Sequence, residues 1–403
     1  MRGGGVVLMS GAHYFKGRKI LIGVTGSIAA YKALDLVSQL TQCGAEVKVV
    51  MTKQAQRFVT SLSFASLSHH PVYDDLFEDP LAHIEWAKWP DLIVIAPATA
   101  QSIAQYRGGY AADLLSAILL ATIKPVVMVP AMNQAMWAHP AVVENVQVLT
   151  QRGVDFLGPM PGLQACGDNG IGRMMEVADL LRFLPRYGVT QSLKGKTVMI
   201  TAGPTQEALD PVRYFSNYSS GKMGYALAQS CYDHGAKVIL IAGPNALPHL
   251  PFGETIDVIT ALEMRDAVMS RVDEADILIA CAAVCDFKPA VYCEHKIKKH
   301  RDVIPTLFLQ ANPDILAEVA ARPQRPFLVG FAAETEELLA HAQQKFQQKQ
   351  VDLMIANQVG LGLGFAQDEQ AVTLISRAGL TVLPKMAKSQ LADQIVALIS
   401  QRC

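Results

Sequence analysis

The sequence predicts an α/β protein of two domains, each built on a mostly parallel, Rossmann-like sheet with helices on both faces. Three observations support this prediction. The chain has 403 residues, which is too many for one ordinary core. A basic lead-in, an apolar run and a small-residue turn occur twice, at residues 17–27 and 195–205, and this pattern is typical of the start of an α/β domain. Hydrophobic residues make up 51% of the chain and charged residues 18%, which favours strands covered on both faces.

The first domain is predicted to begin with a strand at residues 20–23 and a helix that opens near Ser27. Apolar residues at helical spacing give this helix one buried face, and Gly44 ends it. Residues 45–52 predict the next strand, so the three elements form a βαβ unit of a parallel sheet. Two further apolar runs, at residues 91–100 and 125–133, predict additional buried strands with polar exits.

Candidate site residues of the first domain lie where its strands end. Ligands of open α/β sheets bind at the carboxyl ends of the strands, so Thr99, Asn133 and the turn at Gly26 and Ser27 should converge on one crevice. The turn could hold a phosphate through its N–H groups and the helix dipole, although such turns also serve packing alone.

A histidine and a cysteine are further candidates. His83 precedes the third strand and is either a structural hydrogen-bonding residue or a general base. Cys166 lies between glycines, which predicts a flexible flap. It is either an incidental surface thiol or a nucleophile or proton donor.

The second domain begins with a predicted strand at residues 197–201, followed by a long polar loop over residues 210–222 and a helix from about Met223. Further strands are predicted at residues 237–242, 276–283, 327–331 and 351–356. The stretch Ser219-Ser220-Gly221-Lys222 is not a Walker motif, because the upstream glycine spacing is missing. A turn that caps the helix is the simpler interpretation.

Basic residues of the second domain have two interpretations. Residues 295–301 form a dense positive run, and Lys345 and Lys349 share one face of a helix predicted to begin near Glu334. Such lysines either form a solvated face or converge on a polyphosphate. Three cysteines at 281, 285 and 293 have the wrong spacing for a zinc site.

Composition excludes several classes of protein. A net charge of −1 without a single-sign block argues against non-specific nucleic-acid binding. No apolar stretch reaches membrane-spanning length, and residues 1–16 are predicted to be a ragged terminus, not a signal peptide. Seven scattered cysteines are typical of reduced thiols, so we expect a cytoplasmic protein without a membrane partner.

The first domain resembles the flavin-containing cysteine decarboxylases, and among them the phosphopantothenoylcysteine decarboxylases. The resemblance rests on residues 23–32 (GVTGSIAAYK), 96–100 (APATA), 130–137 (PAMNQAMW) and 165–168 (ACGD). One position departs from the family: Ala112 stands where the family usually has an acidic or amide residue, whereas the neighbouring Asp113 remains a candidate for lining the site.

This resemblance implies FMN, a trimeric assembly and an oxidative decarboxylation. The flavin would oxidise the substrate thiol to a thioaldehyde, the carboxylate would leave, and hydride return would restore the redox balance. The resemblance implies that His83 is the general base, that Asn133 binds the departing carboxylate and that Cys166 protonates the enethiol. It also implies that FMN is bound by Gly26, Ser27, Thr52, Thr99, Ala100 and Asp113.

The second domain is similar to the phosphopantothenate–cysteine ligases of the bacterial, CTP-using type. The matching stretches are residues 200–205 (ITAGPT), 210–214 (DPVRY), 216–224 (SNYSSGKMG), 282–286 (AAVCD), 296–299 (KIKK), 312–315 (NPDI) and 330–335 (GFAAET). Cys285 and Phe287 replace the alanine and tyrosine that are more usual in this family.

The second resemblance implies that the carboxylate of 4′-phosphopantothenate attacks the α-phosphate of CTP, and that cysteine's amine then displaces CMP from the acyl-cytidylate. It implies that Asn217 holds the acyl-cytidylate, that Lys296 neutralises charge on the phosphates and that Mg²⁺ shares this task. The implied nucleotide contacts are Ala282, Asp286, Lys296, Pro313, Asp314, Ile315, Leu316, Phe331, Lys345 and Lys349.

Together, the two resemblances imply a bifunctional enzyme of coenzyme A biosynthesis. We expect a decarboxylase domain at residues 17–187, a linker at 188–194 and a ligase domain at 195–403. The expected assembly is a homo-oligomer with trimeric decarboxylase domains and dimeric ligase domains, up to a dodecamer. Two alternatives are a pyridine-nucleotide oxidoreductase, disfavoured because neither start has a G-x-G-x-x-G turn, and a non-catalytic flavoprotein, disfavoured because all five catalytic candidates are present.

Overall fold

The structure is a computed structural model that describes residues 12–77, 81–298, 306–360 and 367–403. The chain folds into two compact units, Met1–Gly188 and Val189–Cys403. Residues 1–11 of the predicted N-terminal segment and residues 299–301 of the predicted basic run lie outside the described residues. Among the helices of the described ranges, none combines the length and the apolar composition that crossing a bilayer requires.

The first unit alternates strands and helices along the chain. Its strands are β1 (Lys19–Val24), β2 (Glu46–Met51), β3 (Val72–Tyr73), β4 (Leu92–Ala98), β5 (Val126–Pro130), β6 (Asp155–Phe156), β7 (Met160–Leu163) and β8 (Asn169–Arg173). Its α-helices are α1 (Ala30–Gln42), α2 (Ser61–Ser68), α3 (Ala82–Lys88), α4 (Ala100–Gly108), α5 (Leu114–Ala121), α6 (Gln134–Trp137), α7 (Pro140–Gln151) and α8 (Val177–Phe183). Short 3₁₀ helices cover Ala12–Phe15, Ala55–Arg57 and Leu184–Gly188.

The main sheet of the first unit is parallel and has helices on both faces. The strand order is β3-β2-β1-β4-β5-β6, and β1 pairs with β2 and β4 in the registers Ile20↔Val47 and Ile20↔Leu92. Alternate residues of β1 enter different cores: Ile20 and Ile22 pack with α1 and α8, whereas Leu21 packs with α3 and α5. Strands buried on both faces explain the continuous apolar runs of the sequence.

The predicted apolar face of the first helix is confirmed. Ala33, Leu36, Val37 and Leu40 of α1 are fully buried, as their helical spacing predicts. The helix is followed by Gly44, whose φ of +85° lies in the left-handed region that glycine adopts without strain.

The second unit repeats this alternation and adds two final strands. Its strands are β9 (Thr197–Ala202), β10 (Gln206–Ala208), β11 (Tyr214–Ser216), β12 (Lys237–Ala242), β13 (Glu254–Asp257), β14 (Ile277–Ala280), β15 (Phe287–Pro289), β16 (Leu309–Ala311), β17 (Phe327–Glu334), β18 (Leu353–Gln358), β19 (Glu369–Ser376) and β20 (Gly379–Ala387). Its α-helices are α9 (Lys222–Asp233), α10 (Ala261–Arg271), α11 (Ile315–Ala320), α12 (Leu338–Lys349) and α13 (Lys388–Ser400), with a 3₁₀ helix at Val272–Glu274.

The main sheet of the second unit has the order β13-β12-β9-β14-β17-β18-β19-β20. Pairing is parallel from β13 to β18 and antiparallel at β18–β19 and β19–β20. Helices α10, α11 and α12 pack on one face, against Met199 and Leu328 among others. Helices α9 and α13 pack against each other. The predicted α/β fold with mostly parallel sheets is therefore confirmed.

Two local predictions in the second unit are wrong. Part of the predicted loop over residues 210–222 is the strand β11, which forms an antiparallel hairpin with β10 through three residue pairs. The helix expected near Glu334 begins at Leu338, because Glu334 still pairs with Gln358 as the last residue of β17. In the segment predicted to be a linker, Leu193 is buried and its N–H donates to the His234 carbonyl.

Candidate functional sites

A cavity of about 430 Å³ lies at the carboxyl ends of β1, β4 and β5 in the first unit. All six residues predicted to bind a flavin line it, namely Gly26, Ser27, Thr52, Thr99, Ala100 and Asp113. Met132 and Met136, on either side of the start of α6, line it as well. The sheet therefore brings residues from distant stretches of the sequence to one crevice, as expected at this edge of a parallel sheet.

Threonine hydroxyls fix the floor of this cavity. Thr25 Oγ1 donates to the Pro97 carbonyl (2.8 Å) and accepts from the Thr99 N–H (3.1 Å), so β1 and β4 are joined beyond their ladder. Thr99 Oγ1 in turn caps α4 by accepting from the Ser102 N–H (3.3 Å). Asp113 caps α5 by accepting from the Ser116 N–H (2.8 Å). Side chains that cap helices are held in one geometry, so the crevice is pre-shaped.

Glycine is required at position 26 because the turn that contains it closely approaches the turn at Gln54. A Cβ atom at Gly26 would lie 2.5 Å from the Cβ of Gln54, a contact that side chains do not tolerate. The absence of a side chain leaves the backbone of this turn open to the cavity, in front of α1.

The predicted flap is the hairpin β7–β8, and Cys166 lies exposed in its connecting turn. The hairpin is seated on the start of α6: the Met132 N–H donates to the Gly172 carbonyl (3.0 Å). A Cβ at Gly172 would lie 2.2 Å from the Met132 carbonyl oxygen, so only glycine permits this contact. This contact places the flap over Asn133.

Four side chains meet where the flap touches α6. Asn133 Nδ2 lies 2.9 Å from Asp168 Oδ2, 3.2 Å from Gln164 Oε1 and 3.4 Å from Cys166 Sγ. Asn133 Oδ1 accepts from the Ala135 N–H (2.8 Å), which fixes which end of the amide faces the flap. Cys166 Sγ also lies 3.4 Å from Asp168 Oδ2. Two predicted catalytic residues are thus in direct contact.

His83 occupies a different depression. Its neighbours there are apolar, including Leu76, Phe77, Ile84 and Leu120, and this depression shares no lining residue with the cavity at Gly26. His83 Nδ1 is buried without a hydrogen-bond partner among the residues that the structure describes. Phe77 is 85% exposed and Leu120 45% exposed, so the histidine lies beside an open apolar surface. Within one chain, His83 is not brought next to Asn133 and Cys166.

A larger cavity, of about 660 Å³, lies at the carboxyl ends of β9, β14, β17 and β18 in the second unit. It gathers Asn217 and nine of the ten residues predicted to contact the nucleotide; these nine are Ala282, Asp286, Pro313, Asp314, Ile315, Leu316, Phe331, Lys345 and Lys349. Lys296 is the exception and does not line it.

Asn217 is held over the loop that follows β14. Its Nδ2 donates to the Ala283 carbonyl (2.8 Å), and the Ala283 N–H donates to the Gly203 carbonyl (2.9 Å). The Cys285 N–H donates to Thr205 Oγ1 (2.9 Å), which joins the same loop to the turn after β9. The motifs at 200–205, 216–224 and 282–286 therefore form one hydrogen-bonded wall.

The two lysines of α12 face the cavity in ion pairs. Lys345 Nζ lies 2.7 Å from Glu334 Oε1, and Lys349 forms an ion pair with Asp314. Burial lowers the pKa of Lys349, and the charge of Asp286 partly opposes this shift. Asp314 also caps α11 by accepting from the Ala317 N–H (3.1 Å).

A buried carboxylate clamps the segment that contains Lys296. Asp210 accepts hydrogen bonds from the N–H groups of Val212 (2.8 Å), Arg213 (2.9 Å) and Ile297 (3.1 Å). Arg213 Nη2 donates to the Ile297 carbonyl (2.8 Å), so both backbone groups of residue 297 are held. The hydrogen bond from Arg213 is the main cause of the strongly lowered pKa of Asp210.

Comparisons with known proteins match each half of the chain to a family and nearly the whole chain to curated relatives. Residues 10–187 match the Flavoprotein family, and residues 193–403 match the DNA/pantothenate metabolism flavoprotein C-terminal domain. The coenzyme A biosynthesis bifunctional protein CoaBC of Vibrio vulnificus is 47% identical over 95% of this chain and 97% of its own length. The chain belongs to the CoaBC family. Its counterparts in Escherichia coli and Bacillus subtilis are each 45% identical, over 96% and 95% of this chain respectively and 97% of their own lengths.

Membership of the CoaBC family confirms the predicted bifunctional enzyme of coenzyme A biosynthesis, a decarboxylase joined to a ligase. Sequence reasoning missed several residues of the two sites in this CoaBC-family chain. It predicts no role for Gln164 and Asp168, which contact Asn133, or for Asp210 and Arg213, which hold Ile297.

Within the described ranges, no group of three or more His, Cys, Asp or Glu side chains is arranged to hold a metal ion.

Proposed function

We propose that the second unit ligates cysteine to 4′-phosphopantothenate with CTP, and that the first unit decarboxylates the product to 4′-phosphopantetheine with FMN. The decarboxylase would comprise residues 17–187 and the ligase residues 195–403. The observation that supports this best is the 660 Å³ cavity, which gathers Asn217 and nine of the ten residues expected around the nucleotide from five separate stretches of the chain. Chance placement of such dispersed residues in one cavity is improbable.

The residues of the smaller cavity fit FMN. Hydroxyl groups of Thr25, Ser27 and Thr99 and the start of α1 suit a phosphate. Met132 and Met136 offer apolar, polarisable contacts for a flat ring. Bound FMN would supply the two-electron oxidation of the substrate thiol and the later return of hydride.

Asn133 and Cys166 would act on the substrate from the flap side. Asn133 Nδ2 donates towards the Asp168 carboxylate, and a substrate carboxylate could replace that acceptor. Cys166 Sγ lies 3.4 Å from the same carboxylate and would deliver its proton to the enethiol carbon. The hairpin over this point would exclude water while the intermediate exists.

His83 would join this site from another subunit. A buried ring nitrogen without a partner in the described residues, beside exposed Phe77 and Ile84, suits a surface that a second copy covers. We therefore propose a homo-oligomer in which the apolar depression at His83 of one chain faces the flap of its neighbour. The expected assembly is trimeric for this unit and dimeric for the ligase unit.

In the ligase, Asn217 would hold the acyl-cytidylate and Lys296 would neutralise phosphate charge from its clamped segment. Mg²⁺ fits this site as an ion held mainly by nucleotide phosphates, because Asp286 and Asp314 are the carboxylates that line the cavity among the residues that the structure describes. All seven cysteines are free thiols, which supports a cytoplasmic location.

The test is to incubate the full chain with 4′-phosphopantothenate, cysteine and CTP and to analyse the products by mass. We expect 4′-phosphopantetheine, CMP and pyrophosphate, a flavin absorption spectrum in the purified protein, and faster pyrophosphate release with CTP than with ATP. A colourless protein that forms no amide product refutes the proposal. Equal rates with ATP and CTP refute the nucleotide assignment alone.

A further inference from the structure

Lys345, which lines the larger cavity, forms an ion pair with a carboxylate that does not line it. Lys345 belongs to α12, whereas Glu334 is the last residue of β17, and Lys345 Nζ lies 2.7 Å from Glu334 Oε1. The strand side of this pair is firmly held, because Glu334 pairs with Gln358 of β18 and its carbonyl accepts from the Val359 N–H (2.9 Å). The pair therefore attaches a half-exposed helical lysine to a fixed point of the sheet.

The Glu334 carboxylate is largely shielded from water. Its side chain is 14% exposed, and Oε1 is buried with no donor of the described ranges in hydrogen-bonding geometry. A buried carboxylate is costly unless a positive charge lies beside it. Lys345 supplies this charge, and His341 Nδ1, 3.6 Å from Glu334 Oε2, adds to it when the ring is protonated. The ion pair is therefore what offsets the burial of Glu334.

Helix α12 has little else to fix its position on the sheet. The structure describes all of its residues, and Ala342 alone among them is fully buried, with Leu338 and Phe346 partly buried. The helix follows Glu337, whose φ of +47° lies in the left-handed region and whose side chain does not cap the first turn. Such a helix gains little from packing or capping, so its ion pairs contribute a larger share to its position.

A carboxylate near a phosphate site can orient a cation or repel the phosphate. Asp314, which pairs with Lys349, lines the cavity and would compete with a phosphate for that lysine. Glu334 does not line the cavity, so a phosphate can reach the Lys345 ammonium without touching this carboxylate. Protein kinases likewise need an ion pair between a strand and a helix to hold their phosphate-binding lysine in place. Orientation of the cation therefore outweighs repulsion at Glu334.

We propose, on the basis of the nucleotide site proposed above, that Glu334 is a positioning residue of the ligase. Through Lys345 it seats α12 on the sheet, and it thereby aims the lysines of this helix at the phosphates of the nucleotide. Its effect is on binding of the triphosphate, because Glu334 itself does not reach the cavity in which the reaction would take place.

The experiment measures, on the full chain, the Kd of CTP and of cytidine, and the KM for CTP and kcat of ligation. Glu334→Gln removes the charge and keeps the length of the side chain. We expect the Kd and KM for CTP to rise about fivefold, as for a partly screened ion pair, with kcat and the Kd of cytidine within about twofold. Glu334→Asp keeps the charge and should recover part of the affinity. Glu254→Gln is the matched control, because Glu254 of β13 pairs with Arg271 of α10 and neither residue lines the cavity.

A double-mutant cycle with Lys345→Met separates positioning from a general loss of structure. If Glu334 acts through Lys345, Glu334→Gln should weaken CTP binding no further once Lys345→Met is present. Additive losses, an unchanged or lowered Kd of CTP in Glu334→Gln, or equal weakening of CTP and cytidine would each overturn the proposal. Wild-type affinity of Lys345→Met for CTP would instead contradict the nucleotide assignment, so the two failures are distinguishable.

Discussion

The seat of the flap on Gly172 makes decarboxylation sensitive to a single methyl group. In Gly172→Ala, the new Cβ would stand 2.2 Å from the Met132 carbonyl oxygen and 2.6 Å from Gln164 Nε2. Carbon and oxygen atoms in close contact are usually about 3.3 Å apart, so the hairpin must retreat by about 1 Å. Because Cys166 and Asp168 belong to this hairpin, they would move away from Asn133 by a similar distance.

A misplacement of this size costs about a hundredfold in rate, or about 2.7 kcal/mol in the barrier. The assay is release of CO₂ from supplied phosphopantothenoylcysteine, with ligation by the same preparation as an internal control. Gly360→Ala is the matched variant, because Gly360, like Gly172, has no left-handed φ, and no atom lies within 4 Å of the position that a Cβ would take there. Near-wild-type decarboxylation by Gly172→Ala would show that the contact with Met132 does not position the flap.

Three other substitutions separate the two activities. Cys166→Ser should lower decarboxylation strongly, by about 10²–10⁴-fold as for loss of a general acid, with ligation unchanged; full CO₂ release would remove Cys166 from the mechanism. Lys296→Ala should abolish pyrophosphate release but leave decarboxylation intact, and loss of both would argue against separate sites. Asp210→Asn should lower ligation because Ile297 loses its clamp. Arg213 keeps the pKa of Asp210 below its usual value near 3.9. The ionised carboxylate therefore stabilises the folded state at pH values above about 3.9. This stabilisation is lost as the pH falls from there towards the lower pKa of the folded state. The thermal midpoint of the variant should therefore fall less than that of the wild type between pH 5 and pH 3, and identical slopes would contradict this reasoning.

The sequence was informative where one local pattern determines one element. The face of α1 and the strand β12 follow directly from apolar spacing, and the crevices follow from the rule that ligands bind at the carboxyl ends of parallel strands. The family motifs then located residues such as Asn217 and Asp286, which the fold brings to one cavity.

The features that sequence reasoning missed depend on contacts between distant residues. The hydrogen bond between Asp210 and Ile297 joins residues that are 87 positions apart, so local spacing cannot predict it. Lys388 directly follows β20, the last strand, and lines the larger cavity together with Thr201, which is nearly 190 positions earlier in the sequence. Its burial therefore depends on the complete sheet and cannot be predicted from local spacing. The hairpin β10–β11 was missed because each of its strands has only three residues and neither shows an apolar alternation.

The position of β1 in the middle of its sheet affects how this protein can be synthesised. Its neighbour β2 follows after one helix, but its other neighbour, β4, is encoded about 70 residues further along. At translation rates of about 5–20 residues per second, one side of β1 waits about 4–14 seconds for its partner. During that interval an apolar strand has an open edge, so the nascent chain depends on early closure of the β1–α1–β2 crossover to stay out of aggregates.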